Sequence, residues 1–155
     1  MQTELIQNTN VFREFEKQFN HFFDECERGF SNELIINMFC RIYTPDKTVI
    51  SYKSNVKEIY FIRQGIVEIF NNKEKIKDPE ADNGQIVDEI MEDQPILYLP
   101  KFSYFGDYQI LLNLKSNIVY KTYDSPANKQ AKKDGKQPEQ ENKLQDIIFM
   151  CVARE

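Results

Sequence analysis

The stretch Glu58-Ile-Tyr-Phe-Ile-Arg-Gln-Gly65-Ile-Val-Glu-Ile-Phe70 decides the fold. Two runs rich in β-branched and aromatic residues flank the pair Gln64-Gly65, and such residues favour strands. Gly65 can adopt the positive φ of a tight turn because it has no Cβ. The stretch therefore predicts two strands joined by a tight hairpin.

Short β-rich runs continue on both sides of this hairpin. Two precede it and flank the turn Thr44-Pro45-Asp46-Lys47, and three follow it, at 96–99, 118–122 and 146–151. Strands this short and closely spaced are typical of a sandwich, barrel or jelly roll. Because strands this apolar must bury a face, we expect one β-roll that encloses the following side chains: Phe61, Ile66, Ile69, Leu97, Ile118 and Phe149.

The N-terminal third has helical periodicity. Its apolar residues recur at spacings of three and four, which places on one face Phe12, Phe15, Phe19, Phe22, Phe23 and Cys26. Asn10 is a candidate N-cap, Gly29 should end the helix, and Ser31 should cap a second one. The aromatic stripe could form a partner groove or pack on the domain's own core. Packing on the core is favoured, because exposed phenylalanines would promote aggregation.

These patterns predict an α+β fold that is mainly β. Short N-terminal helices occupy residues 1–39, and an antiparallel, jelly-roll-like β-roll occupies residues 40–155. A polar stretch rich in Lys, Gln, Glu, Pro and Gly interrupts the roll at 124–143. It offers little apolar area to offset its ordering entropy, so it should be a flexible surface loop and the most mobile internal segment.

Composition limits the classes of partner and of location. The 155 residues carry a net charge of −5, which argues against binding to nucleic acid, whose phosphates require a basic face. The longest apolar run, 147–153, is far shorter than the ~20 residues needed to span a bilayer. Three cysteines without a C-x-x-C pair indicate a reduced, intracellular setting. A cytoplasmic location follows as an expectation.

The residue types for most enzymatic chemistry are absent. His21 is the only histidine, so neither a several-histidine metal centre nor a histidine base beside a Ser or Cys nucleophile can be built. There is no Gly-x-x-x-x-Gly-Lys phosphate loop. The sequence therefore predicts a protein that is not an enzyme and has no cofactor or metal.

A second motif follows the hairpin by about thirty residues. It reads Leu99-Pro-Lys-Phe-Ser-Tyr-Phe-Gly-Asp107-Tyr-Gln-Ile-Leu-Leu112. Hairpin and motif together resemble the cyclic nucleotide-binding domain family, in which a Phe-Gly-Glu triplet opens the short helix of the phosphate-binding cassette. The resemblance covers residues 30–155 and is strongest to the cytoplasmic domains of voltage-gated and cyclic-nucleotide-gated cation channels, particularly divergent protist potassium channels.

The resemblance implies a ligand site for cAMP or cGMP. Gly106 would let the backbone approach a phosphate, which the N–H groups at the start of the short helix would contact. Asp107 stands where the family's carboxylate accepts a hydrogen bond from the ribose hydroxyl. The candidate ligand residues are Phe105, Gly106, Asp107, Tyr108, Gln109, Lys115, Ser116 and Asn117.

The phosphate side of this site departs from the family pattern. The family has an arginine after the cassette helix, and this chain has Lys115-Ser116-Asn117 there. A lysine lacks the planar two-pronged donor of arginine, so a phosphate would be bound weakly if at all. The chain also ends directly after its last strand, where the family continues into a lid helix.

Two hypotheses follow from the sequence. One is a regulatory cyclic nucleotide-binding-like domain with a degenerate phosphate site, in the cytoplasmic part of a cation channel or a relative. In that case the site lies at the cytoplasmic face of a membrane. The other is a β-roll that binds no nucleotide and serves as a protein interaction or structural module. The N-terminal helices could then mediate partner binding or self-association.

Overall fold

The computed structural model describes residues 13–71, 94–136 and 146–153. The chain is helical over residues 13–18. The remaining helices and strands are, in chain order, α1 (Asn20–Phe23), α2 (Arg28–Ile36), β1 (Phe39–Tyr43), β2 (Thr48–Ile50), β3 (Glu58–Gln64), β4 (Val67–Asn71), β5 (Leu97–Leu99), β6 (Tyr104–Phe105), α3 (Asp107–Leu111), β7 (Ile118–Thr122), α4 (Pro126–Lys133) and β8 (Ile147–Ala153).

The strands form two antiparallel sheets. Sheet A has the order β1-β8-β3-β6, and sheet B has the order β2-β7-β4-β5. The last described strand, β8, lies between β1 and β3, so the two ends of the fold are joined in one sheet. The prediction of short N-terminal helices and an antiparallel β-roll with one small helix is confirmed.

The predicted hairpin at Gln64-Gly65 is wrong, although both of its strands exist. β3 pairs with β6 and β8, whereas β4 pairs with β5 and β7, so the chain passes from one sheet to the other at this point. Gly65 has φ +92°, and a Cβ there would lie 2.6 Å from Cγ1 of Ile147. The glycine thus forms a tight corner against β8 and not the turn of a paired hairpin.

The interior of the roll is strongly aromatic. The ring of Phe105 stacks between those of Tyr60 and Tyr120, at centroid distances of 5.0 and 4.6 Å. Phe149 packs edge-on against this stack and has no exposed surface. These rings fill the space between the sheets next to the start of α3.

The expected interior set was partly right. Ile69 and Phe149 are buried inside the roll, and Ile118 is half-buried against them, whereas Phe61 is buried on the opposite face of β3, outside the roll. Ile66 and Leu97 are 37% and 53% exposed, which corrects the prediction. Ile66 lies in the corner between the sheets, and Leu97 lies on β5, which is the last strand of sheet B among the described residues.

A second apolar cluster lies on the outer face of sheet A. Phe15, Phe19 and Phe23 pack there against Ile59 and Phe61 of β3. The aromatic stripe therefore packs on the domain's own core, as expected, although Asn10 and Phe12 lie outside the described residues.

The predicted boundary between the two helices was wrong. Gly29 and Ser31 both lie inside α2, which begins at Arg28 after Glu27. The Ser31 hydroxyl donates to the Glu27 carbonyl oxygen 3.3 Å away, a back-bond that serines make within helices. Ser31 therefore does not act as a cap.

The polar stretch at 124–143 contains a helix where the sequence predicted a loop. α4 begins after Ser125, whose Oγ accepts from the Asn128 N–H at 3.3 Å, and Pro126 occupies its first turn. Serine as N-cap followed by proline is a common helix start, which the compositional argument overlooked. Residues 137–143 lie outside the described residues, and high mobility of 124–143 stays a prediction.

Candidate functional site

Gly106 sets the geometry of the candidate site. It lies between β6 and α3 with φ +91°, and a Cβ there would be 2.6 Å from the backbone oxygen of Glu58. A side chain is therefore excluded by contact as well as by conformation. The bend directs the chain into α3, whose first N–H groups have no partner inside the helix.

Asp107 and Tyr108 open this helix at the surface. Asp107 is half-buried, and Tyr108 is 40% exposed. Burial, and then the negative charge of Asp107, raise the pKa of the Tyr104 hydroxyl. Burial is also the main reason that the pKa of Tyr120 is raised, with a smaller contribution from Asp107. The Asp107 carboxylate is thus close enough to both tyrosines to influence the pKa of each hydroxyl.

Gln109 points into the protein. It is 1% exposed, and its Nε2 donates to the Tyr120 hydroxyl at 3.2 Å. The Tyr120 hydroxyl also shares a hydrogen bond with Tyr108. Oε1 of Gln109 is buried and has no hydrogen-bond partner among the described residues. Its side chain links α3 to the aromatic stack, while Phe105 of that stack is 3% exposed and serves the core.

The other three candidate residues lie on the turn after α3 and differ in their exposure to solvent. Ser116 is 1% exposed, and its hydroxyl donates to the Ile118 carbonyl oxygen at 2.6 Å. Lys115 and Asn117 are exposed. Lys115 forms a backbone bridge with Asn55 and has no ion-pair partner within the described ranges. Ser116, which stands in the region of the family's arginine, is therefore part of the internal structure of the turn.

The eight candidate residues thus fall into two neighbouring groups. Phe105 to Gln109 lie on β6 and α3, and the other three lie on the turn into β7, which the Leu114 N–H ties back to the Gln109 carbonyl at 2.8 Å. Of the eight, the side chains of Asp107, Tyr108, Lys115 and Asn117 retain access to solvent.

Two cavities beside the cassette involve residues that the sequence did not single out. One of about 590 Å³ is lined by residues of the 55–58 segment, the end of α3 and Ala153. The other, about 290 Å³, is also lined by segment 55–58 and reaches Arg41, Tyr43 and Tyr60. Segment 55–58 therefore contributes to both spaces.

An ion pair crosses the second cavity. The Arg41 guanidinium donates to both carboxylate oxygens of Glu58, with 2.7 Å from Nε to Oε2. Arg41 lowers the pKa of the Glu58 carboxyl, and a hydrogen bond from Tyr60 lowers it further against the effect of burial. Cys151 has no exposed surface, and burial raises the pKa of its thiol to about 12. The 17 residues between Arg41 and Glu58 give no local signal of this pairing.

The described part of the chain offers no other recognisable centre. None of its helices is long and apolar enough to cross a membrane. Within the same residues, no group of three or more His, Cys, Asp or Glu side chains is arranged to hold a metal ion.

Comparisons with known proteins identify the fold. No family model matches the chain, and no curated protein matches it. Solved structures do match, among them the regulatory domain of Toxoplasma gondii PKA with cAMP, at TM-score 0.60 and 10% identity over 93% of this chain and 42% of that one. The likeness establishes the fold.

Two further structures agree with this result. Cyclic AMP-bound PfPKA-R has TM-score 0.61 and 14% identity, over 92% of this chain and 38% of its own. The regulatory subunit of a cAMP-independent protein kinase A from Trypanosoma cruzi, bound to guanosine, has TM-score 0.61 and 13% identity, over 96% and 39%. The chain thus spans about two fifths of the length of each of these proteins.

Proposed function

We propose that this chain is a regulatory domain that senses a nucleoside-type ligand at the cassette formed by Gly106, Asp107 and the start of α3. The observation that carries the proposal is the Gly106 corner, which packs against the Glu58 backbone and holds Asp107 half-buried at the mouth of a cAMP-domain-like roll. A ribose hydroxyl donating to the Asp107 carboxylate would be a charge-assisted hydrogen bond.

The phosphate side of the site favours weak binding of cyclic nucleotides. The Ser116 hydroxyl is already bonded to the Ile118 carbonyl, and Lys115 is exposed on the turn. A cyclic phosphate would therefore lack the buried paired cation that makes such contacts strong. We expect cAMP and cGMP to bind with a dissociation constant no tighter than roughly 10 μM.

The missing cation would not lower the affinity for a nucleoside, because a nucleoside has ribose hydroxyls and no phosphate. The guanosine-bound Trypanosoma cruzi protein has the same fold. We therefore expect guanosine or adenosine to bind at least as tightly as the corresponding cyclic nucleotide. The ligand preference of this chain would then be set by Asp107 and not by a phosphate contact.

Calorimetric titration with cAMP, cGMP, adenosine and guanosine tests the proposal. Asp107→Ala should abolish the binding that is observed, and Asp107→Asn, which keeps the shape and loses the charge, should weaken it. Submicromolar binding of cAMP by the unaltered chain would overturn the assignment of a degenerate phosphate site. Binding that is insensitive to Asp107→Ala would overturn the site itself.

A cation added at the exposed turn supplies a sharper test. Asn117→Arg places a guanidinium at a position where no buried side chain is displaced. It should tighten cyclic nucleotide binding by about tenfold, as expected for one charge-assisted contact, and leave nucleoside binding unchanged. Asn117→Gln is the matched control, and equal tightening by both variants would contradict the electrostatic explanation.

The parent protein is a separate part of the proposal. The sequence resembles domains at the cytoplasmic face of cation channels, including potassium channels, and the similar structures are kinase regulatory subunits. We propose that the domain regulates a larger assembly of one of these two kinds. Several long hydrophobic spans upstream in the full gene would favour the channel, and association with a kinase catalytic chain would favour the other.

An interaction module that binds no nucleotide is the second candidate. The observation in its favour is an apolar surface on α3 and the turn after it, where Leu111 is 77%, Leu112 65% and Leu114 49% exposed. On α2, Phe30 and Ile36 are also exposed and could mediate self-association. Two results together would favour this candidate over the first. No nucleoside or nucleotide should bind at millimolar concentration, and Ile36→Ser or Leu111→Ser should convert an oligomer to monomers in sedimentation experiments.

A further inference from the structure

Helix α4 lies over two carboxylates that are almost completely buried. The side chain of Glu68, on β4, is 3% exposed, and that of Asp124, just before the helix, has no exposed surface. Val67 and Ile69, on either side of Glu68 in β4, belong to the interior cluster, so Glu68 points to the outer face of sheet B. α4 therefore covers charged groups on the outside of the roll.

Two lysines of the helix neutralise these carboxylates. Nζ of Lys129 lies 3.4 and 3.2 Å from the two carboxylate oxygens of Glu68. Nζ of Lys132 lies 2.8 Å from Oδ2 of Asp124, whose other oxygen has no partner among the described residues. The lysine side chains are 34% and 42% exposed, so each pair has a buried anion and an accessible cation.

Among the described residues, Lys129 and Lys132 make the only ion pairs between this helix and the rest of the fold. Its eight residues are PANKQAKK, and Asn128 is the only one that is buried. A helix of this length is marginal in water without tertiary contacts, and here those contacts are mainly ionic. Removing one partner of a pair whose other member is buried is strongly destabilising, because the remaining charge is left without compensation. The attachment of α4 should therefore depend on the charges of Lys129 and Lys132.

We propose that α4 is a charge-dependent cover of sheet B, and that Lys129 and Lys132 are modification sites that control it. Acetylation by an acyl thioester fits the chemistry: the Nζ ammonium loses two protons, one to solvent and one to the departing sulfur, as the N–C amide bond forms and the C–S bond breaks, so that a neutral thiol leaves. The neutral amide cannot compensate Glu68 or Asp124, so the helix detaches and both carboxylates become hydrated. The uncovered outer face of sheet B is then acidic. This inference does not depend on ligand binding at the cassette.

Hydrogen exchange of the whole chain, followed by mass spectrometry, tests the cover. Lys129→Gln/Lys132→Gln, which mimics acetylation, should speed exchange in residues 126–136 at least tenfold. Lys129→Arg/Lys132→Arg keeps the charge and should not. Lys133→Gln/Lys136→Gln is the matched control, because it removes two charges from the same segment and neither side chain forms an ion pair among the described residues. Exchange in β3 and β8 should be unchanged in all three variants.

A second readout reports the buried carboxylate directly. Carbodiimide coupling of an amine to Glu68 should be slow in the unaltered chain and fast in the Gln double variant. If that variant does not fold, ~0.5 M salt applied to the unaltered chain should selectively speed exchange in α4, because salt screens partly exposed pairs. Unchanged exchange in the Gln variant or in high salt would overturn the proposal, and so would equal acceleration by Lys133→Gln/Lys136→Gln.

Discussion

At the scale of single residues, two glycines differ in whether their positions can accept a side chain. Gly106 has positive φ and no room for a Cβ, whereas Gly29 lies inside α2 with nothing within 4 Å of a Cβ. Gly106→Ala should lower the free energy of unfolding by about 2 kcal/mol or more, from conformational strain and contact with the Glu58 backbone.

Urea denaturation of both alanine variants checks this expectation. Gly29→Ala should raise the free energy of unfolding by about 0.5–1 kcal/mol, since alanine is the better helix residue. A Gly106→Ala variant as stable as the unaltered chain would show that the corner relaxes. The claim that the Gly106 corner fixes the position of Asp107 would then be wrong.

The Arg41–Glu58 pair makes stability depend on pH. Because folding lowers the pKa of Glu58, the pair's contribution is fully present above the unfolded-state pKa and is lost as the pH falls through the folded-state pKa. Stability should therefore decrease between neutral pH and about pH 3, and Glu58→Gln should make this decrease smaller. Urea denaturation of the unaltered chain and of Glu58→Gln at the two pH values provides the measurement. An equal loss of stability in the two proteins would refute the prediction.

At the scale of elements, the N-terminal helices are attached to sheet A by aromatic rings. Phe19 is 1% exposed, and its ring lies 5.1 Å from that of Phe61 on β3. Phe19→Ala should cost about 3–5 kcal/mol, the range for a buried aromatic side chain. Phe30→Ala, at a side chain that is 53% exposed, should cost less than about 0.5 kcal/mol. Denaturant midpoints compare the two, and similar losses would contradict the packing.

At the scale of the whole molecule, β3 joins the two apolar clusters. Tyr60 and Ile62 belong to the interior of the roll, and Ile59 and Phe61 belong to the cluster under the helices. Because one strand supplies both clusters, they should unfold in a single transition. Near-ultraviolet circular dichroism of the stacked tyrosines and the far-ultraviolet helix signal should lose intensity at the same urea concentration. Loss of the helix signal at a lower concentration would indicate separate units.

Local sequence patterns predicted most of the elements. Runs of β-branched and aromatic residues predicted every strand except the two-residue β6, and three- and four-residue spacing predicted a helical stripe that packs on its own core. Glycine at 65 predicted a sharp bend, and its φ is +92°. These features depend on residues close in the chain, so sequence by itself determined them.

Tertiary structure decided which strands pair and which charges meet. β8, from the far end of the chain, pairs with β3, while β4 pairs with β5 and β7, so the expected hairpin became a corner between sheets. The pairs Arg41–Glu58 and Lys129–Glu68 join residues 17 and 61 positions apart. Neither separation corresponds to a local period, and each pair forms because the fold brings a distant cation beside a carboxylate that it has buried.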